Sequence, residues 1–192
     1  MRRHVVTACL LMGLLLTGCE CRKPTDGPIV REHTADDEYA TIVIEAEDFA
    51  GELEHPMKLE DDPEASGGRC IHIEGGSGKP GDPHPVTGVK YPSRWGAAVY
   101  KFTVSAPGTY RIWGRRFWED GCGNSFTFIV NGRQVVFGQE GTYDRWEWSL
   151  CTVPFELPAG ENTLEVLNRE DGVSLDKLIL TTNPDFVPQG KE

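Results

Sequence analysis

The sequence lacks the features that mark several large functional classes. No run of Lys and Arg is longer than two residues, and Asp plus Glu outnumber Lys plus Arg by 30 to 19, for a net charge of −11. A nucleic-acid partner would require a local cluster of positive charge, so DNA and RNA are not expected partners. The chain also contains no Cys-x-x-Cys, His-Glu-x-x-His or Gly-x-Ser-x-Gly motif. We therefore expect neither a zinc ribbon nor a zinc or serine hydrolase.

A sustained helical spacing of apolar residues is also missing from the body of the chain. Short runs instead alternate at period two or are rich in β-branched and aromatic residues, which is typical of strands with one buried face. Turn signals such as Asn131-Gly132 and Asp171-Gly172 separate these runs. The predicted strands cover residues 41–47, 69–74, 97–104, 109–117, 125–130, 134–137, 146–153, 162–168 and 173–181.

Strands that follow one another without crossover helices have to close a core by packing sheet on sheet. The sequence therefore predicts an all-β fold, a jelly-roll β-sandwich of two antiparallel sheets. One connection, residues 75–96, is long and rich in Gly and Pro. Such a loop is usually either functional or poorly ordered.

Residues 1–18 have the character of an export signal. Arg2 and Arg3 precede the apolar stretch 9–16, which is short for a membrane span. Leu16-Thr17-Gly18-Cys19 resembles the bacterial lipoprotein processing box, and this implies that Cys19 carries a lipid and becomes the first residue of the mature protein. An ordinary signal peptide with an incidental Cys is the alternative.

The segment that follows, residues 19–40, combines Pro, Gly and acidic residues with almost no apolar periodicity. We expect it to be a flexible tether, with a reach on the order of 25 Å. A lipid at its start would anchor the protein in the bacterial cell envelope, on the outer membrane or the cell surface. The folded domain is then expected over residues 41–182, with a C-terminal tail over residues 183–192.

Cysteine use is consistent with an oxidising compartment. Besides one Cys in the signal and the proposed anchor, the chain has Cys21, Cys70, Cys122 and Cys151. Four thiols can pair in three ways. A disulfide between Cys122 and Cys151 is favoured, because each lies at or near a predicted strand, while the pairing of Cys21 and Cys70 is left open. Reduced, buried thiols are the alternative.

Two glutamates stand two residues apart at the start of the predicted domain. Because Glu45 and Glu47 lie on one strand, their carboxylates leave the same face about 7 Å apart. A hard cation such as Ca²⁺, which binds carboxylate and carbonyl oxygens, explains this pair. Glycosidases also use two carboxyl groups at such separations, but those normally come from different strands around a cleft. Two solvated acids at a strand end are the plainest alternative.

Six short motifs follow one another along the chain. They are Ile44-Glu45-Ala46-Glu47-Asp48-Phe49, Ala65-Ser66-Gly67-Gly68, Pro107-Gly108-Thr109-Tyr110-Arg111-Ile112-Trp113, Asn124-Ser125-Phe126, Val130-Asn131-Gly132 and Ser174-Leu175-Asp176-Lys177-Leu178. In this order they resemble the family 6 and family 35 carbohydrate-binding modules. The resemblance covers roughly residues 41–182, and it implies a galactose-binding-like jelly roll with no catalysis of its own.

The resemblance also implies two sites. A structural Ca²⁺ would be bound by Glu45, Glu47 and Asp176, and it would tie the first strand to the last. A sugar would bind at the loop end of the sandwich, where aromatic rings and planar amide groups complement its C–H faces and hydroxyls. The candidates that match these positions are Trp95, Tyr143, Trp146 and Asn168.

A second set of candidates comes from loops, which often carry binding residues on a rigid sandwich. Trp118 and Asn124 flank a polar loop, and Arg169 has the planar fork that pairs with a uronate carboxylate. The sequence thus predicts a lipid-anchored protein that binds a polysaccharide or oligosaccharide and serves separate glycan-degrading enzymes. The alternative is an envelope protein-interaction domain with the same fold and no sugar binding.

Overall fold

A computed structural model describes residues 38–191, which form two antiparallel sheets packed face to face. The strands of this part of the chain are β1 (Thr41–Glu45), β2 (Lys58–Asp61), β3 (Arg69–Ile73), β4 (Ala97–Val104), β5 (Gly108–Trp118), β6 (Ser125–Val130), β7 (Arg133–Gly138), β8 (Trp146–Leu150), β9 (Phe155–Leu157), β10 (Gly160–Asn168) and β11 (Val173–Thr181). Among these residues, no helix is long and apolar enough to cross a bilayer.

The larger sheet has seven strands and is centred on β11. Its main path runs β2-β3-β11-β5-β8, with β1 also paired to β11 and β9 to β5, while the smaller sheet has the order β4-β10-β6-β7. β1 pairs along the second half of β11, from Thr41↔Thr181 to Glu45↔Lys177. The first and last strands therefore lie side by side, as a metal site shared by Glu45, Glu47 and Asp176 would require.

The core lies between the sheets and is rich in aromatic residues. The rings of Phe128 and Phe137 stack with a centroid distance of 4.4 Å, and Trp118 packs against Phe137 and Phe126. Gly114 makes room for this layer, since a Cβ at that position would lie 2.5 Å from the Phe137 ring. The inward-facing side chains come from both sheets, as a two-layer architecture requires.

The all-β jelly roll is confirmed. The predicted strands over residues 97–104, 125–130 and 173–181 have the predicted bounds, and the other six differ at their ends by a few residues. β2 and β9 were not predicted, because β2 is four largely polar residues and β9 has only three, too few to display a period. The predicted signal, Cys19, Cys21 and most of the predicted tether lie outside the described residues.

The predicted disulfide between Cys122 and Cys151 is wrong. Both are free thiols, as is Cys70. The amide of Cys151 donates a hydrogen bond to the carbonyl of Ile112 in β5, whereas Cys122 follows the end of that strand at Trp118. Six strand residues span about 20 Å, and a disulfide requires Cα atoms within about 7 Å.

The thiols are expected to differ sharply in reactivity. Burial, aided by Asp62 and Glu60, raises the pKa of Cys70 to about 12, and burial also raises the pKa of Cys151. At neutral pH a maleimide should therefore modify the exposed Cys122 in the folded protein, and the two buried thiols only in urea. Peptide-mapping mass spectrometry checks this. A crosslinked Cys122–Cys151 peptide would contradict it.

Candidate functional site

The predicted metal ligands lie together where β1, β11 and the loop before β3 meet. The Ser66 hydroxyl donates to the carboxylates of Glu45 and Asp176, the latter at 3.0 Å, and the Ser66 amide donates to Asp176 Oδ1 at 2.8 Å. The Glu47 carboxylate lies against Gly67, where any Cβ would collide with Oε1. Ser66 and Gly67 thus hold the three carboxylates in one place, which we call the carboxylate cluster.

A β-bulge positions the last of these carboxylates. The register between β11 and β5 shifts between Leu175 and Lys177, so Asp176 is the extra residue. The Ala46 amide donates to the Asp176 carbonyl at 2.8 Å, which continues the contact between β1 and β11. Bulges commonly redirect a side chain in this way, and here the bulge puts the Asp176 carboxylate beside those of β1.

Two of the three carboxylates have cationic partners within the protein. Asp176 is fully buried and forms an ion pair with Arg115 at 2.5 Å, and Lys177 lies 3.0 Å from Glu45 Oε1. Among residues 38–191 Glu47 has no such partner, and its Oε2 atom is buried without a hydrogen bond from any of them. Burial, with the charge of Glu45 as a further cause, raises the pKa of Glu47.

The donor set of the carboxylate cluster determines which ion suits it. Residues 38–191 contain no ready-made group of three or more His, Cys, Asp or Glu side chains with metal-site geometry. The side chains that do converge offer only carboxylate oxygens, and these fit a hard cation and not a thiophilic metal. The buried, unpaired oxygen of Glu47 is the atom that a cation would compensate.

A second cluster lies at one end of the sandwich, which we call the loop end. There the long connection 75–96 contacts the loops after β5 and β10. The Gly78 amide donates to Asp171 Oδ2 at 2.8 Å, and Lys79 Nζ donates to the Cys122 carbonyl at 2.9 Å. These bonds connect the long connection to the loops after β5 and β10.

Aromatic rings gather along this connection. Trp95 is half-buried, and its Nε1 donates to the Ser77 carbonyl at 3.2 Å. Its ring contacts those of Tyr91 and His55 at centroid distances of 5.0 and 4.9 Å, and His84 lies 5.8 Å from Tyr91. Sequence reasoning identified only Trp95, since His55 precedes β2 and joins the group only through the tertiary fold.

Asn168, the predicted amide, lies directly beneath this connection. Its Nδ2 donates to the Gly78 carbonyl at 3.2 Å, and its backbone amide donates to the Gly96 carbonyl at 2.8 Å. Asn168 is 3% exposed, and its Oδ1 is buried and accepts no hydrogen bond from the described part of the chain. The fold thus brings Trp95 and Asn168 to the same loop end, with one acceptor of the amide unused.

Arg169 and Asn124 take part in an internal network at the loop end. Arg169 Nη1 donates to Ser125 Oγ at 2.6 Å and lies 3.2 Å from Glu170 Oε1. Glu170 also accepts a hydrogen bond from the Asn124 amide at 3.0 Å. Burial opposes ionisation of Glu170, but the hydrogen bonds from Ser125 and Asn124 prevail and lower its pKa. Arg169 was predicted to pair with a uronate carboxylate of the ligand, but its carboxylate partner in the structure is Glu170.

The remaining three candidates are dispersed. Tyr143 is 37% exposed beside Gly121, at the rim of the loop end. Trp146 lies on the outer face of the larger sheet, where its Nε1 donates to Asp62 Oδ2 at 3.1 Å. Trp118 is fully buried in the core. The prediction of ligand contact for Trp118 is wrong, because β5 extends through this residue and turns its indole inward.

The comparisons with known proteins identify a fold and no family. No protein family model matches the chain. A curated relative, Uncharacterized protein P23 of Formosa agariphila, is 29% identical over 126 residues, which cover 55% of this chain and 30% of the relative. The chain thus spans less than a third of that relative's length.

Two solved structures have the same architecture. A family 35 carbohydrate binding module from Clostridium thermocellum superposes with a TM-score of 0.51 at 17% identity, over 73% of this chain and 97% of the module. The GH26-CBM35 β-(1,4)-mannanase of Podospora anserina gives a TM-score of 0.53 at 15% identity, over 77% of this chain and 29% of that enzyme. The chain has the jelly-roll fold that these proteins contain.

Proposed function

We propose that this protein binds a polysaccharide or oligosaccharide, without catalysis, at the loop end of its sandwich. The observation that carries the proposal is the half-exposed Trp95 ring, which lies with the rings of Tyr91 and His55 at the loop end. A partly exposed aromatic ring of this kind packs against the C–H face of a sugar. The fold supports the same reading, since a solved carbohydrate-binding module is matched over almost its whole length.

Replacement of Trp95 by Ala tests this site. Loss of one stacking side chain should weaken glycan binding by about tenfold or more, since burying an aromatic side chain contributes about 1.5–3 kcal/mol. Titration calorimetry with neutral and acidic oligosaccharides measures the loss, and Tyr39→Ala, an exposed aromatic residue outside the loop end, is the matched control. Absence of any glycan binding, together with a stable protein partner in a pull-down, would favour the envelope-interaction alternative.

We further propose that the carboxylate cluster binds a structural Ca²⁺ through Glu45, Glu47 and Asp176. The support is the convergence of three carboxylates and the uncompensated burial of Glu47. The ion would supply positive charge between the first and last strands, and the chain supplies the oxygen ligands and their alignment through Ser66. A ligand that binds only the folded state stabilises it by about 2.7 kcal/mol at a concentration of 100 Kd.

Glu47→Gln should abolish the calcium dependence of the melting temperature. In chelator the raised pKa of Glu47 means that the parent loses stability as pH rises from the ordinary glutamate value through the folded-state pKa. Gln avoids this loss, so the variant should match the parent at about pH 4 and exceed it at pH 7. Thermal melts with and without calcium check this, with the exposed Glu52→Gln as control. An undiminished calcium response in Glu47→Gln would refute the site.

The location of the protein is part of the same proposal. We propose that Cys19 carries a lipid and that the mature protein is held in the bacterial envelope through residues 19–40. The support lies in the sequence, where an apolar stretch ends directly at Leu16-Thr17-Gly18-Cys19. A tethered, non-catalytic glycan binder would hold polysaccharide near the cell for separate glycan-degrading enzymes.

A further inference from the structure

A histidine lies at the centre of a polar group on the larger sheet, and neither site described above uses it. His72 of β3 is 8% exposed. It pairs with Lys58 of β2 on one side and with Ser174 of β11 on the other. Its neighbours Ile71 and Ile73 belong to the core, so the His72 ring leaves the sheet on the face that is turned away from the core.

One ring nitrogen of His72 is bonded within the sheet. Its Nδ1 atom lies 2.9 Å from the hydroxyl oxygen of Ser174, which is a normal hydrogen-bond distance. When the ring donates this bond, the other nitrogen, Nε2, carries a lone pair instead of a hydrogen atom. A hydrogen bond at one ring nitrogen is also what orients a histidine that binds a metal ion through the other.

The other ring nitrogen faces two carboxylates from separate elements. His72 Nε2 lies 3.9 Å from Glu60 Oε2 in β2 and 3.8 Å from Glu119 Oε1, which directly follows β5. Both distances are too long for a hydrogen bond, and within residues 38–191 the ring has no hydrogen bond other than the one to Ser174. A lone pair beside two carboxylates is unfavourable, and a cation bound between the three groups would remove the repulsion.

Neighbouring residues hold both carboxylates near this nitrogen. The Glu119 carboxylate occupies space that two glycines leave open, since a Cβ at Gly75 would lie 2.9 Å from its Oε2 atom and a Cβ at Gly172 would lie 3.0 Å from it. Glu60 Oε2 lies 3.2 Å from Lys58 Nζ. Both glutamate side chains are close to half exposed, so an ion can reach them from solvent.

The donor set determines which ion suits this group. Ca²⁺ binds oxygen ligands, whereas an imidazole nitrogen combined with carboxylates suits Zn²⁺ and related transition metals. Ligand atoms about 2.0–2.2 Å from a tetrahedral Zn²⁺ ion lie about 3.4 Å from one another. The group is therefore not a ready-made site, and each exposed carboxylate has to move toward Nε2 by about 0.5 Å.

We propose that His72, Glu60 and Glu119 form a binding site for a divalent transition metal such as Zn²⁺, with Ser174 as a positioning residue. Three protein ligands leave a fourth position for water. The ion would connect β2, β3 and the loop after β5. The site differs from the carboxylate cluster in its nitrogen ligand, and it does not depend on glycan binding.

Calorimetric titration of the full-length protein with zinc chloride at neutral pH tests the site. Excess calcium is present throughout, so that the carboxylate cluster does not contribute. His72→Asn keeps an amide donor for Ser174 but has no Nε2 atom, and it should abolish this zinc binding. Ser174→Ala should weaken zinc binding about 10–100-fold, as expected when a metal-binding histidine loses its orienting partner. Glu74→Gln, an exposed carboxylate beside Lys58, and Glu47→Gln are the matched controls and should bind zinc as the parent does.

Nuclear magnetic resonance of the ¹⁵N-labelled imidazoles assigns the response to one atom. Zinc should shift the His72 Nε2 signal strongly while Nδ1 keeps its proton. Thermal melts without zinc show whether each variant is folded, and Glu60→Gln combined with Glu119→Gln replaces His72→Asn if that variant unfolds. Undiminished zinc binding in the ligand variant overturns the site. So does a His72 ring that is protonated at both nitrogens and does not respond to zinc, because the two carboxylates then pair with an imidazolium.

Discussion

Asp176→Asn is expected to lower the free energy of unfolding by about 3–5 kcal/mol. The carboxylate is fully buried and pairs with Arg115, which is itself only 6% exposed. Asn has nearly the same shape but no charge, so the guanidinium would remain buried without its counterion. Asp176 also accepts the amide and hydroxyl hydrogen bonds of Ser66, so the loop before β3 would loosen as well.

Urea titration in the presence of chelator measures this effect apart from any contribution of calcium. Asp185→Asn, an exposed carboxylate near the C-terminus, is the matched control and should change stability by no more than about 0.5 kcal/mol. Adding Arg115→Met to Asp176→Asn should restore part of the loss, because both members of the buried pair are then uncharged. A loss below about 1 kcal/mol in the single variant would show that the ion pair contributes little.

Trp118→Ala is expected to lower the free energy of unfolding by about 3–5 kcal/mol, the usual range for a large aromatic residue removed from a core. The indole is fully buried, and it contacts Phe126, Phe137 and the guanidinium of Arg116. The cavity left behind cannot collapse readily, because it lies between two sheets whose strands are hydrogen-bonded in register.

Comparison with Trp95→Ala separates a structural tryptophan from a binding one. Trp118→Phe should recover much of the lost stability, and it should leave glycan affinity as in the parent. Trp95→Ala should have the opposite profile, with a small change in stability and a large change in affinity. If Trp118→Ala folds with normal stability but no longer binds glycan, the indole is a ligand contact after all and its assigned place in the core is wrong.

The carboxylate cluster was only partly predictable from local sequence patterns. The two-residue spacing of Glu45 and Glu47 is a local feature, and the family resemblance added Asp176 as their partner. The structure brings the three together, but it also adds Arg115 and Lys177 as cationic partners. Those contacts depend on strand pairing between residues far apart in the chain, which no local pattern encodes.

The tryptophans show where local pattern was insufficient. In β5 the aromatic and basic residues alternate on both faces, with Trp113 and Phe117 on one side and Tyr110 and Trp118 on the other. Period two identifies the strand, but with large apolar residues on both faces it does not tell which face is the core. Trp118 was therefore misassigned, and Trp146 was grouped with a loop end from which the sheet separates it.

Nine of the eleven strands, the all-β class and the acidic pair of the first strand were predicted from the sequence, because each depends on neighbours two to four residues apart. Tertiary structure alone decided which indoles are buried, that Cys122 and Cys151 lie too far apart to bond, and that His55 joins Tyr91 and Trp95. It also placed the C-terminal tail against β8. These outcomes depend on contacts between segments that are far apart in the chain, so local sequence patterns do not predict them.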